Sequence, residues 1–242
     1  MTLSPEILSL CTLVVCLLSI IAAVKFFGKS GLFVYTAVAV ISSNLQVLKL
    51  TKYGFTDNPI ALGTVMFATV FAVDNILTEY YGVEAAKKNV WLSFFGYLLF
   101  AIVMEIAVCH PAVDCADCTN LHGEFEKLLS PSIVLLVSSL ISYAVGQFSD
   151  IFILSLLKKL MRGKYVSARA FVSMSLSTFL DNCVFSVFAW VIFAEHPVSW
   201  KVLWSTYIFV AYLLRLSVAV LCVPLVKSAG AWIKRGRDVQ EF

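Results

Sequence analysis

The feature that most constrains this chain is a succession of apolar runs, each about 17 residues or longer, separated by short polar gaps: residues 7–24, 32–48, 60–78, 90–108, 132–157, 166–193 and 202–226. A helix of that length crosses the roughly 30 Å hydrocarbon core of a bilayer while satisfying its own backbone hydrogen bonds. A soluble domain could not hide so much apolar surface, since 60% of the residues are hydrophobic, 14% are charged and the mean hydropathy is +0.91. The expected fold class is all-α: a polytopic helical membrane protein with six or seven transmembrane helices, built as a single domain over residues 1–242. The first run is the weakest of the seven. The N-terminus, MTLSPEILSL, has no basic segment and carries Glu6, so this run is expected to stay rather than be cleaved as a signal peptide.

The basic residues divide unevenly between the gaps. If alternate gaps share a side, one side holds thirteen Lys and Arg and the other four. The positive-inside rule then places the N-terminus outside and the C-terminus in the cytoplasm. No compact basic and aromatic platform lies outside the runs, so no nucleic-acid partner is expected.

Polar side chains inside the runs carry the functional signal, because a carboxylate at bilayer depth costs about 2.5–3.5 kcal/mol on insertion scales unless it meets water or a partner. In the third run, FATVFAVDNILTEYYG, helical spacing turns Asp74, Asn75 and Glu79 to one side, and Gly82 ends the helix. In the fifth run Gln147 and Asp150 are three residues apart and share a face, and Lys158–Lys159 close it. In the sixth, Arg169, Ser173, Ser177 and Asp181 recur every four residues with Thr178 and Asn182 beside them. Such a stripe is expected to line a cavity. Asp181–Asn182 also echoes Asp74–Asn75 in a helix of opposite direction, a hint of an inverted repeat. Arg215 stands halfway along the last run and needs Asp74, Asp150 or Asp181 as partner; a structural salt bridge and a direct substrate role are both open to it. Trp200, Trp204 and Trp232 are expected to anchor span ends at the interface.

Three of the seven cysteines, Cys109, Cys115 and Cys118, fall in one acidic gap with His110, Asp114, Asp117 and His122. The gap could hold a metal or, in an oxidising compartment, a disulfide; without a repeated CxxC pair or a His-x3-His spacing, no metal is expected. Cys11, Cys16, Cys183 and Cys222 are read as small apolar core residues. No nucleophile triad, zinc-protease motif or phosphate loop is present, which disfavours an enzyme, and no cofactor is expected.

Three ordered blocks resemble the queuosine precursor transporters, also called the vitamin uptake or DUF165 family. The first is Asp74, Glu79, Tyr81 and Gly82 in DNILTEYYG, followed by a basic pair and Trp91. The second is Gln147 and Asp150 in GQFSDIF, with Lys158 after it. The third is Arg169, Ser173 and Asp181 in RAFVSMSLSTFLDNCVF, where family members often have Ser or Thr at the position of Asn182. The resemblance implies a carrier in the bacterial inner membrane that imports 7-cyano-7-deazaguanine, 7-aminomethyl-7-deazaguanine or queuine. It also implies a fold similar to the substrate-binding components of energy-coupling-factor importers.

Such a base presents a ring N–H and an exocyclic amine that a carboxylate accepts together, a carbonyl that wants a donor, and a flat face. The expected substrate-binding set is Asp74, Asn75, Glu79, Gln147, Asp150, Arg169, Ser173, Asp181, Asn182 and Arg215, with Phe71, Phe185, Tyr81 and Trp91 as candidate stacking faces. The partners are then a small nucleobase-like substrate and the lipid bilayer. An alternative is the substrate-binding component of an ATP-driven vitamin importer, with Ala68 and Ala72 as a small-residue docking surface for its partner complex. Homo-oligomerisation is compatible with either.

Overall fold

The computed structural model describes residues 4–54, 56, 59–111, 123–124, 129, 133–194 and 196–240. The expected polytopic helical membrane class is what is found. Among the described residues the chain forms α1 (Pro5–Ala22), α2 (Gly28–Gln46), α3 (Gly63–Ile76), α4 (Val83–Val108), α5 (Ile133–Leu160), α6 (Val166–Val187) and α7 (Phe209–Gln240). Wider π-type turns extend several of them: Ala23–Phe27 after α1, Leu77–Tyr81 after α3, Phe188–Ile192 after α6 and Leu203–Ile208 before α7. Five helical stretches are long and apolar enough to cross a membrane, the first of them running continuously over Pro5–Gln46. Gly28, with φ +58°, breaks that stretch into α1 and α2, in a backbone region that favours glycine.

Two differences from the sequence reading have local causes. Ile60–Ala61, expected inside the third span, instead forms strand β2 and pairs antiparallel with β1 (Leu50–Thr51), so the helix starts later, at Gly63. The fourth helix starts seven residues earlier than its apolar run, at Val83. Gly82, at φ +93°, ends the preceding turn as expected, and the Glu84, Lys87 and Lys88 that looked like a gap form the first turns of α4.

The central element is α3, in which twelve of fourteen residues are buried. The helices α1, α2, α5, α6 and α7 pack around it, while α4 lies against α2 and α5 and offers α3 only a narrow stripe. The buried side of α4 is Ala86, Asn89, Val90, Ser93 and Tyr97, at helical spacing. Its opposite side, including Trp91, Phe95 and Ile102, is exposed and suits lipid, as do Trp200 and Trp204 near the last span. Ala68 and Ala72 are buried in this core, so they serve packing within the chain and offer no docking surface. Cys16 and Cys222 are buried as expected, whereas Cys11 is exposed on α1.

Close backbone approach sets the helix registers. A Cβ on Gly63 would overlap the Ser43 carbonyl oxygen of α2, and one on Gly146 of α5 would lie 2.7 Å from the Asp181 Cβ of α6. The five residues joining α5 to α6 include Arg162, Gly163 and Tyr165 at positive φ, and the tight turn makes the two helices antiparallel neighbours. Asp150 and the serines of α6 are roughly equally far from that turn along their helices, which puts them side by side.

Gly63→Ala is expected to destabilise the protein by about 1–3 kcal/mol, the usual cost of overpacking, seen as a lower Tm and less monodisperse protein after detergent extraction. Gly96→Ala is the control: its Cβ would sit 4.0 Å from the Ala37 Cβ, and neither readout should fall.

Candidate functional site

The polar residues singled out in the sequence lie along the bundle in three zones. The first is a pocket toward the end that carries β1 and β2. Its narrow inner part, about 50 Å³, is walled by Ser43 and Asn44 of α2, Thr64 and Phe67 of α3, Ser139 and Ser142 of α5, Asp181 and Phe185 of α6, and Arg215 of α7. A wider part of about 290 Å³ shares Val47, Thr64, Phe185 and Arg215 as walls and continues past Asn182, Trp190 and Tyr207 to Ile60 and Ala61 of β2.

At the floor of this pocket Arg215 donates through Nη1 to Asp181 Oδ2, which answers which carboxylate it pairs with. Asp181 Oδ1 and Arg215 Nε have no hydrogen-bond partner among the described residues. The guanidinium carbon lies 5.4 Å from the centroid of the Phe67 ring. The pocket is thus lined by an ion pair and two aromatic rings, Phe67 and Phe185, and the unpartnered Asp181 Oδ1 and Arg215 Nε are covered beneath its surface. Asn182 is on the wall of the wider part, where its amide donates to the Ile208 carbonyl at 2.8 Å.

The second zone is a dry core. Asp74, Asn75, Gln147, Asp150 and Ser173 are all fully buried. They do not share one cavity-facing side: α3 is surrounded by helices, so its polar residues address different neighbours. Asp74 accepts from the Asn89 amide of α4 at 2.7 Å, and Asn89 donates also to Thr36 of α2 at 3.0 Å. Asn75 donates to Asp150 of α5 at 2.6 Å. Asp150 is reached in addition by Ser173 at 2.5 Å and Ser177 at 3.1 Å from α6. The stripe on α6 thus faces other helices along most of its length, and only Asp181 and Asn182 at its end border the pocket. Gln147 lies between these groups with neither amide atom partnered among the described residues.

The third zone closes the opposite end. The π-type turn Leu77–Tyr81 rotates Glu79 away from the direction of Asn75, so it meets Arg169 of α6 at 2.9 Å and Lys158 of α5 at 3.4 Å. Lys158 also donates to the Glu79 main-chain carbonyl at 2.8 Å. Next to them the Tyr80 hydroxyl is shared between the Val226 and Lys227 carbonyls of α7, with its ring against Gly230, where a Cβ would come within 2.6 Å. No part of the pocket described above extends to this end.

Of the expected stacking faces only Phe185 lines the pocket. Phe71 is sealed in the core, and Trp91 is 61% exposed on the outer side of α4, against Phe94 and Phe148. Phe67, Asn89 and Thr36 were not singled out in the sequence. Phe67 is two helical turns before Asp74, so its heptad spacing was a usable signal; Asn89 was hidden by the two lysines that precede it. Of the cysteine-rich gap, Cys115, Cys118, Asp114, Asp117 and His122 lie outside the described residues, while Cys109 is an exposed free thiol. No group of three or more His, Cys, Asp or Glu is placed to hold a metal among the described residues.

Residues 61–229 match the family described as "Putative vitamin uptake transporter". The stretch contains all three motif blocks and every zone of the site. A protein of Bacillus subtilis (strain 168) named "Probable queuosine precursor transporter" is 29% identical over 208 residues, covering 85% of this chain and 86% of that protein. No solved structure matches the chain.

The Glu79–Arg169 ion pair gives a direct stability test. Glu79→Gln leaves the buried Arg169 without its counter-charge and is expected to cost about 3–5 kcal/mol, with much of the loss restored in a Glu79→Gln/Arg169→Gln double variant. Lys158, 39% exposed, should matter less, with Lys158→Ala within about 1 kcal/mol. Thermal unfolding of the purified protein in detergent reads all three.

Proposed function

The chain belongs to the family described as "Putative vitamin uptake transporter", and on that premise we propose that it imports a queuosine precursor, a 7-deazaguanine-type base, across the bacterial inner membrane. The observation that carries this reading is the pocket at Asp181 and Arg215. A 7-deazaguanine offers its ring N–H and exocyclic amine on one edge and a carbonyl next to them. Asp181 Oδ1 and Arg215 Nε, unpartnered among the described residues and covered in this state, are the acceptor for that edge and the donor for the carbonyl once the base enters. Phe67 and Phe185 provide flanking rings for the flat base.

The wider part of the pocket has a volume at the lower end of what small-ligand sites have, and it leaves room for the substituent at the 7-position. The name of the Bacillus subtilis relative and the motif resemblance support the same ligand class. With the C-terminus in the cytoplasm, as the distribution of Lys and Arg suggests, the pocket faces outward and the Glu79–Arg169–Lys158 cluster seals the cytoplasmic end. This is the arrangement of a carrier loaded from outside.

The test uses bacteria that neither synthesise nor import queuosine precursors. Expression of this chain with 7-cyano-7-deazaguanine, 7-aminomethyl-7-deazaguanine or queuine supplied at low concentration is expected to restore queuosine in tRNA for at least one of them. Asp181→Asn and Phe67→Ala, at matched membrane levels, should reduce the rate of restoration at least about tenfold, the equivalent of losing roughly 1.4 kcal/mol of recognition. A well-expressed protein that restores nothing with any of the three bases would overturn the ligand assignment.

A further inference from the structure

Four carboxylates lie in the bundle, and the structure divides them into two kinds. Glu79 is matched by Arg169 and Lys158, and Asp181 by Arg215. Asp74 and Asp150 are as deeply buried, yet every hydrogen bond they receive comes from a neutral group: Asn89 for Asp74, and Asn75, Ser173 and Ser177 for Asp150. Resting on the reading of the chain as a carrier, we propose that Asp74 and Asp150, with the amide oxygens around them, form a site for a small monovalent cation, H⁺ or Na⁺, whose movement is coupled to that of the base.

A lone carboxylate in a dry medium is far costlier than a neutral polar group, and amide or hydroxyl donors lower that cost without cancelling the charge. Here two such groups are close in the fold, since Asn75, next to Asp74 in the chain, donates to Asp150 at 2.6 Å. Among the described residues the groups around them from the neighbouring helices supply no positive charge. Thr36 comes from α2, Asn89 and Ser93 from α4, Tyr143 and Gln147 from α5, and Ser173 and Ser177 from α6; Tyr35 of α2 and the thiols of Cys16 on α1 and Cys222 on α7 lie further along α3, near Thr69. The cations of the bundle interior, Arg169 and Arg215, are already held by Glu79 and Asp181.

A second observation is independent of the two acids. Asn75 spends its amide N–H groups on the Phe71 carbonyl at 3.0 Å and on Asp150, and Asn89 spends its own on Thr36 and Asp74. That leaves Asn75 Oδ1, Asn89 Oδ1 and Asp74 Oδ2 without a donor among the described residues, beside the unpartnered hydroxyls of Thr78, Ser93 and Tyr143. Gln147 adds an amide with no partner on either atom, fully buried. It lies on the same face of α5 as Tyr143 and Asp150. Carboxylate and amide oxygens that no donor reaches, beside two acids without a counter-charge, suit a hard cation or a proton. The location also suits coupling. Ser173 and Ser177, which hold Asp150, are two turns and one turn before Asp181 on α6, so the cation site and the base pocket bear on the same helix.

The test reads cation binding apart from transport. The full chain is purified in detergent and its Tm followed as Na⁺ replaces choline at constant ionic strength, then across weakly alkaline to weakly acidic pH without Na⁺. A sodium site raises Tm with Na⁺, on the order of 5 °C at a hundredfold excess over Kd. A proton site instead stabilises the folded protein at low pH, and Tm falls as pH rises. In either case Asp74→Asn/Asp150→Asn, or Asp150→Asn alone if the pair does not fold, flattens the dependence. Curves for wild type and variant that run parallel against both Na⁺ and pH would overturn the site. In liposomes, uptake of the base should accelerate at least several-fold under an inward gradient of the same cation, and indifference to both gradients would overturn the coupling. Failure of the ligand reading is separate: no base is taken up under any gradient, while the cation dependence of Tm stands or falls by itself.

Discussion

The arrangement depends on hydrogen bonds that leave α3 in three directions. A helix surrounded by others in a bilayer gains little from apolar burial against its neighbours, because lipid is as apolar as they are. Asp74 to Asn89, Asn75 to Asp150 and Glu79 to Arg169 are contacts that lipid cannot replace. Each specifies which helix lies where: α4 beside Asp74, α5 beside Asn75 and α6 beside Glu79. A polar group rotated away from its partner would face hydrocarbon or sit unpaired in the core, so these three contacts also fix the rotation of α3 about its own axis.

The same contacts make the two ends of the bundle different. Toward β1 and β2, Asp181 and Arg215 pair at the floor of an open pocket, each with one atom that has no partner among the described residues. Toward the α5–α6 turn, two cations converge on Glu79 and Tyr80 is wedged against the α7 backbone, which leaves no passage between them. A carrier of the family to which this chain belongs has to open each end in turn. The contacts that have to part at the closed end are the Glu79 ion pairs and the Tyr80 hydrogen bonds. The dry core between the ends links them physically, since α6 carries Arg169 at one end, Asp181 near the other and the two serines on Asp150 between.

Much of this was legible in the chain. The polytopic class followed from the apolar runs, Gly82 marked its helix end, and ten residues picked for polarity within those runs all proved to be in the interior zones. What misled was the assumption of one ideal helical period. Asp74, Asn75 and Glu79 were placed on one side, but adjacent residues on a helix differ by about 100°, and a helix enclosed on all sides can use each direction. The π-type turn Leu77–Tyr81 then moved Glu79 further round. The α6 stripe was read as a cavity wall for the same reason: polarity shows that lipid is avoided, and a neighbouring polar helix achieves that as well as water does. Asp74–Asn75 and Asp181–Asn182, alike in sequence, have unlike partners: Asn89 and Asp150 for the first, Arg215 and the Ile208 carbonyl for the second.

The sequence alone determined that the chain lives in a bilayer, which residues avoid lipid and, through three spaced motif blocks, which family it joins. Those are properties of composition and local order, and transfer to hydrocarbon acts on each segment separately. Only the tertiary structure decided that Arg215 belongs to Asp181, that Glu79 belongs to Arg169 and Lys158, and that Asp74 and Asp150 meet no cationic side chain among the described residues. Pairing of charges across helices depends on register and rotation. Both are set by close approaches such as Gly63 on Ser43 and Gly146 on Asp181, which no single segment contains.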